Sequence, residues 1–271
     1  PQLTRLLRTL TPTEPLRADA AQLTPVHERV LALAHGIDCP DGLVPWAALD
    51  AQRLGLTAVN GKDGWAWITP CHWTVQSNHV DMADPLQLSL TPKEAQALWL
   101  AMKPYFAEDG ITLFSQPLEH MGTRWLARGK VFEQLPTASL DRVVGRTIDP
   151  WTPRQEQAQP LRKLQNEMQM LLYTHPVNDA RAKFKLPSIN SFWVSGTGAL
   201  PEHAVQTVPC TVRHELRAPA LADDAPAWTQ AWQALDESAL AQAARLQDKG
   251  EPVAISLCAA TTAPGLTIRC G

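Results

Sequence analysis

Positions 174 to 198, THPVNDARAKFKLPSINSFWVSGTG, hold the densest set of groups suited to handling an anion. His175 and Asn178 bracket a proline, while Arg181, Lys183 and Lys185 add positive charge. Ser195-Gly196-Thr197-Gly198 then forms a Gly-x-Gly turn whose backbone N–H groups can face a phosphate. Each piece also has a plain structural explanation. Polar side chains beside a proline often cap a helix end, cationic runs often lie in solvent, and Gly is a common turn residue. The turn is not the dinucleotide fingerprint, because the third Gly is absent and Ala199-Leu200-Pro201 opens no convincing helix.

Two other groups have the residue types for catalysis. His72, His79, Asp81 and Asp84 are ligand types for a divalent cation. Along one continuous strand, His72 and His79 face opposite ways and only His79 and Asp81 share a face; a turn at Gln76 to Asn78 would let them converge. Thr24 stands before Pro25 at a predicted helix start, where the positive end of the helix dipole favours an incoming phosphate beside its hydroxyl. Thr is also among the commonest N-caps. No Ser-His-Asp order follows from the spacing.

The elements that must position these groups are marked by their ends. Thr24-Pro25 opens a helix that runs through His35 and is closed by Gly36, and Pro45 to Leu54 is closed by Gly55. Thr91-Pro92-Lys93-Glu94 is a capping box leading into apolar Ala95, Leu98, Trp99 and Met102. GWAWIT and HWTVQSNHVDM are rich in strand formers, and ITLFS and RWLAR predict two strands joined through QPLEHMGT. Leu161, Leu164, Met168, Leu171 and Leu172 recur at helical spacing until Pro176 disfavours helix at the residue before it. DESALAQAARLQDKG predicts a helix capped by Asp236, and NSFWVSG, VAISLC and LTIRC predict strands. The Pro- and Gln-rich stretch DPWTPRQEQAQP, residues 149 to 160, is the best candidate linker, dividing an N-terminal α/β portion 1–150 from a portion 151–271; RAPALADDAPA is a second. The two portions can also form one continuous domain.

Composition sets further bounds. A hydrophobic content of 45% suits a packed globular core. A net charge of -3 with scattered basic residues argues against nucleic acid as a partner. The absence of a long apolar run argues against a membrane, and a soluble, cytoplasmic protein is expected. Cys39, Cys71, Cys210, Cys258 and Cys270 are odd in number and widely spaced, which predicts reduced, mostly buried thiols. Ten tryptophans against five phenylalanines suit core filling, or a stacking surface for sugars or rings.

HPVNDARAKFKLPSINSFWVSGTG resembles the corresponding segment of archaeal-type cofactor-independent phosphoglycerate mutases, members of the alkaline phosphatase superfamily. Over more of its length the chain resembles the RpfE-type regulatory proteins, through LTPVHERVLALAHG, TPCHW, LPTASLDRVVGR, LQNEMQMLLYTHPVN and NSFWVSGTG. The resemblance implies an α/β fold, an alkaline-phosphatase-like mixed sheet flanked by helices with an inserted or second α+β portion. It marks His175, Asn178, Arg181, Asn190, Trp193, Gly196 and Gly198 as a ligand site. It also implies, for active members, two divalent metals that activate a hydroxyl nucleophile. This chain has no Asp-His dipeptide and no Asp followed four positions later by His. The expected function is therefore that of a catalytically degenerate, regulatory mutase-like protein that binds a small anionic metabolite or a protein partner. The alternative is an active mutase or phosphohydrolase with rearranged ligands, using Mn or Zn at His72, His79 and Asp81 with Thr24 as nucleophile.

Overall fold

The computed structural model describes residues 1–12, 16, 19–57, 62–115, 123–201, 210–258 and 266–269, the last four by backbone alone. In chain order, α1 (Gln2–Thr9), β1 (Thr11–Pro12), α2 (Val26–Ala34) and α3 (Trp46–Arg53) come first. They are followed by β2 (Trp65–Cys71), β3 (Trp73–Val75), β4 (Val80–Met82), α4 (Pro92–Glu108), β5 (Thr112–Phe114) and β6 (Trp125–Arg128). Next are α5 (Leu140–Val143), α6 (Gln159–Tyr173), α7 (Pro176–Lys183) and β7 (Ser191–Gly198). The chain continues through α8 (Arg217–Leu221), α9 (Ala225–Leu235), α10 (Ala241–Asp248), β8 (Ala254–Leu257) and β9 (Leu266–Arg269).

These elements form two compact units, one of residues 1–21, 25–36 and 206–271, the other of 22–24 and 37–205. The boundary expected at 150 thus falls inside the second unit. Residues 149 to 158 are turns and a short 3-10 helix, Glu156–Ala158, anchored by Ala158 at 1% exposure, and α6 begins at Gln159. Low periodicity there reflects a wrapped connection, not a hinge between domains.

The second unit is built on a four-stranded sheet ordered β5-β6-β2-β7, with every ladder antiparallel. This replaces the mixed, alkaline-phosphatase-like sheet that the resemblance implied. β2 is central, which explains why WAWITPC is apolar on both faces and almost wholly buried. One face packs Ile68, Phe192 and Val194 against Leu98, Met102 and Phe106 of α4 and Leu164, Met168 and Leu172 of α6. On the other face Trp65 and Leu126 meet Ala47, Ala48 and Ala51 of α3, whose small side chains let the helix sit close to the sheet. The capping box forms as the sequence predicts: Thr91 N–H donates to Glu94 Oε2 at 2.8 Å and Glu94 N–H donates to Thr91 Oγ1 at 3.2 Å. The β5–β6 hairpin forms too, and most of its expected connector lies outside the described residues.

The first unit pairs β1, β9 and β8 in an antiparallel sheet and packs Leu6 and Leu10 against Leu240 and Ala244. Its long helix starts earlier than the sequence suggested, because RAPALADDAPA is helical rather than a linker: α8 lies in it, and Asp224 caps α9 through the Ala227 N–H. Asp236 instead opens a π-helical turn, Asp236–Leu240, between α9 and α10. Its carboxylate accepts the Gln2 and Leu3 N–H groups at 2.8 and 2.9 Å, so it caps α1. Those two donors hold it below the usual carboxylate range.

Tryptophan mainly fills core, with Trp65, Trp125 and Trp193 nearly inaccessible. The cysteines depart from expectation. Cys71 is buried, Cys39 is half-buried, Cys210 and Cys258 are exposed, and Cys270 lies outside the described residues. Burial pushes the Cys71 thiol far up, so it behaves as an inert apolar group.

Candidate functional site

The His-Pro-Val-Asn corner is the start of a helix. α6 ends at Tyr173, and α7 begins at Pro176, whose missing N–H is no loss at the first helical position. His175 is the N-cap: its Nδ1 accepts the Val177 N–H at 3.2 Å. Asn178, buried, donates from Nδ2 to the Leu172 and Ile189 carbonyls at 2.8 Å each and accepts the Ile189 N–H at 2.7 Å. One amide thus ties the end of α6 to the approach into β7.

Arg181 is only 1% exposed. Its Nε donates to the Pro187 carbonyl at 2.7 Å, Nη2 to the Leu88 carbonyl at 2.6 Å, and Nη1 to Glu94 Oε1 at 3.0 Å. Glu94 already accepts from Thr91 through its other oxygen, so the capping box of α4 and the guanidinium of α7 share one carboxylate. Burial would raise the Glu94 carboxyl, but the Thr91 donors and the Arg181 charge outweigh it and hold the group below its ordinary range.

Further along, Asn190 accepts the Trp73 N–H at 2.7 Å and donates to the Trp73 carbonyl at 2.8 Å, its amide imitating a strand backbone beside β3. Trp193 donates from Nε1 to the Ala138 carbonyl at 3.0 Å. The Gly-x-Gly stretch is the end of β7. Trp67 pairs with Ser195 but Trp65 pairs with Gly198, so β7 carries one extra residue there, a bulge with Gly196 at a φ of 63°. A Cβ on Gly196 would lie 2.7 Å from the Trp67 ring, and one on Gly198 would lie 3.1 Å from Pro45. Between them, Thr197 is fully buried, with its hydroxyl 2.6 Å from the Leu135 carbonyl and 2.9 Å from Thr137 Oγ1.

Thr24 does not cap α2; the N-cap is Pro25, with no side-chain bond. The Thr24 hydroxyl is buried and accepts the Gly42 N–H at 2.9 Å, while its own N–H donates to Asp41 Oδ1. It braces a loop. The turn at Gln76 to Asn78 does form, within the β3–β4 hairpin, but the Gln76 N–H bonds to the His79 carbonyl at the tip and the His72 carbonyl accepts the Ala83 N–H at the base. Four residues at the usual strand rise separate the two histidines along the hairpin by roughly 13 Å. His72 Nδ1 lies 2.8 Å from the Ser188 carbonyl, and His79 Nε2 lies 3.2 Å from Asp81 Oδ2. Asp84 caps the short 3-10 helix Pro85–Leu88 through the Leu86 N–H. Among the described residues no group of three or more His, Cys, Asp or Glu side chains is placed to hold a metal ion. The donors Thr24, His72, His79 and Asp81 therefore do not fit a two-metal centre as the sequence grouped them.

Two clusters escape a linear reading. One is Arg181 with Glu94, for which the unused oxygen of the capping-box carboxylate was the only hint. The other is Trp67, whose Nε1 donates to Asp50 Oδ2 at 3.0 Å and whose ring carries the Arg124 guanidinium at 3.6 Å. A cavity of about 20 Å³ between α6 and β7, bordered by Arg162, Gln165 and Trp193, has room for about one water and is too small for a phosphorylated metabolite.

His175 supplies a pH test. Its Nδ1 accepts only while unprotonated, and burial lowers its pKa from the ordinary value of about 6.5 against the opposing pull of Asp179. In that window the unfolded chain binds the proton more readily, so this contribution is complete above pH 6.5 and is lost as pH falls through the folded-state value. Urea midpoints of the wild type should fall more between pH 7.5 and 5.5 than those of His175→Asn, which caps without titrating. Parallel declines would show that the cap is not the titrating group.

No family model matches the chain, and no curated protein matches it. Among solved structures, a cofactor-independent phosphoglycerate mutase from Thermoplasma acidophilum aligns with 99% of this chain and 81% of its own, at 12% identity and a TM-score of 0.39. A likeness that slight bears no weight on fold or activity.

Proposed function

We propose that this chain is a catalytically degenerate, phosphoglycerate mutase-like protein that acts in regulation by binding a protein partner. The likeness to the mutases rests on the segment 174–198, and the observation that carries the reading is the orientation of Arg181. The one buried cation of that segment directs Nε, Nη1 and Nη2 at Pro187, Glu94 and Leu88, while Asn178 and Asn190 are bonded to backbone. Groups fixed in this way brace the fold and are not directed at a substrate. A small anionic metabolite is the weaker candidate ligand for the same reason.

Titration calorimetry with phosphoglycerates should give no saturable heat, and a phosphatase assay supplemented with Mn²⁺ or Zn²⁺ should show no turnover above blank. Metal-dependent turnover that disappears in Thr24→Ala would replace this reading with that of an active mutase or phosphohydrolase. Saturable phosphoglycerate binding without turnover would replace the protein partner with a metabolite.

A further inference from the structure

Among the described residues, three that are not glycine adopt a positive φ: Ser89 at 49°, Lys185 at 57° and Asp223 at 51°. Two of the three flank carbonyls held by Arg181. Ser89 follows Leu88, which bonds to Nη2, and Lys185 stands two residues before Pro187, which bonds to Nε. Left-handed backbone at such residues is unfavourable and persists where surrounding contacts impose it. At Lys185 the bonds that end α7 impose it, the Arg181 carbonyl accepting the Leu186 N–H and the Ala182 carbonyl accepting the Lys185 N–H at 3.0 Å each, while the Arg181 guanidinium anchors the nearby Leu88 and Pro187 carbonyls.

That scaffolding buries none of what it presents. Residues 182–187 are all exposed: Phe184 is 78% accessible and Leu186 41%, between the cations Lys183 and Lys185. Leu86, 48% accessible, comes from the turn that ends in the Leu88 carbonyl, and both held carbonyls touch the same guanidinium. The result is a patch of three apolar side chains and two lysines on backbone that is hydrogen-bonded to Arg181, and neither lysine has an ion-pair partner among the described residues. Backbone already held by such bonds loses little entropy on binding. Its charge runs against that of the chain, whose net charge is -3.

We propose that this patch docks a protein segment with acidic residues on either side of an apolar side chain. The carboxylates would meet Lys183 and Lys185 and the apolar side chain would cover Phe184, an arrangement of exposed anchor and complementary charge that sets both affinity and partner choice. The inference rests on the reading of the chain as a partner-binding protein.

The probe is a labelled synthetic peptide alternating glutamate and leucine, titrated with the full chain by fluorescence anisotropy. Saturable binding is expected, weakened by salt, and weakened about tenfold or more in Phe184→Ser and in Lys183→Glu. Lys249→Glu makes the same charge change at an exposed site in the first unit and should bind like wild type. A mirror peptide of lysine and leucine should not bind. All these side chains are exposed, so unchanged urea midpoints will confirm that the variants fold. Equal binding by all variants, or no saturation by the acidic peptide, overturns the proposal. So does binding to phosphatidylserine vesicles in place of the peptide, or a dimer that dissociates in Phe184→Ser, which would assign the patch to lipid or to a second copy. Failure of the peptide without catalytic turnover removes the patch and leaves the non-catalytic reading standing. Metal-dependent turnover lost in Thr24→Ala removes that reading.

Discussion

Replacing Arg181 with alanine should lower the unfolding free energy by about 3–5 kcal/mol, the range seen when one partner of a buried, hydrogen-bonded ion pair is removed. The substitution takes the donors from the Leu88 and Pro187 carbonyls and the counter-charge from Glu94. Glu94 keeps its Thr91 donors and is 20% exposed, so water can reach it, which moves the expected loss toward the lower end of that range. The Leu88 carbonyl, in a buried bond, cannot be satisfied so easily, whereas water can reach the carbonyl of exposed Pro187. Arg181→Lys should recover little, because an ammonium cannot span three acceptors set out around a planar fork. Urea unfolding at constant m-value measures the loss. A change below about 1 kcal/mol would show that Arg181 is not the brace described, on a scale where ordinary surface substitutions fall within about 0.5 kcal/mol.

Gly196→Ala should cost about 2–5 kcal/mol, combining a left-handed backbone with overpacking. The new Cβ would fall 2.7 Å from the Trp67 ring. That ring has little room to retreat, since its Nε1 is bonded to Asp50 and the Arg124 guanidinium lies over it. Gly55→Ala is the control: its φ is 69° but nothing lies within 4 Å of the added carbon, so it carries the backbone strain alone. The difference between the two urea-derived losses isolates the clash. If they are equal, Trp67 yields freely and the bulge is not a tight fit.

Both predictions concern residues first marked out as possible ligand contacts, and the change of role shows what a linear reading can reach. Elements announced by local chemistry formed where expected: the Thr91 capping box, the helices closed by Gly36 and Gly55, and the β5–β6 pair. Misreadings arose where a polar residue had a choice of partners. Asp236 caps a helix more than 230 positions away and not its own. Thr24 supports Gly42 in place of the helix that follows it. DPWTPRQEQAQP has linker composition, yet packing carries it within one unit.

By itself the sequence determined the Thr91 capping box, the helix ends at Gly36 and Gly55, the strand-forming segments and the concentration of polar groups in 174–198, because such signals act within a few residues. Only the tertiary structure decided what those groups bind. Arg181 meets Glu94 across 87 positions and Asn190 meets Trp73 across 117, and such pairings depend on how α4, α7 and the sheet pack. A side chain's donors are fixed by its chemistry; whether they face a ligand or a backbone carbonyl is set by the distances that folding creates.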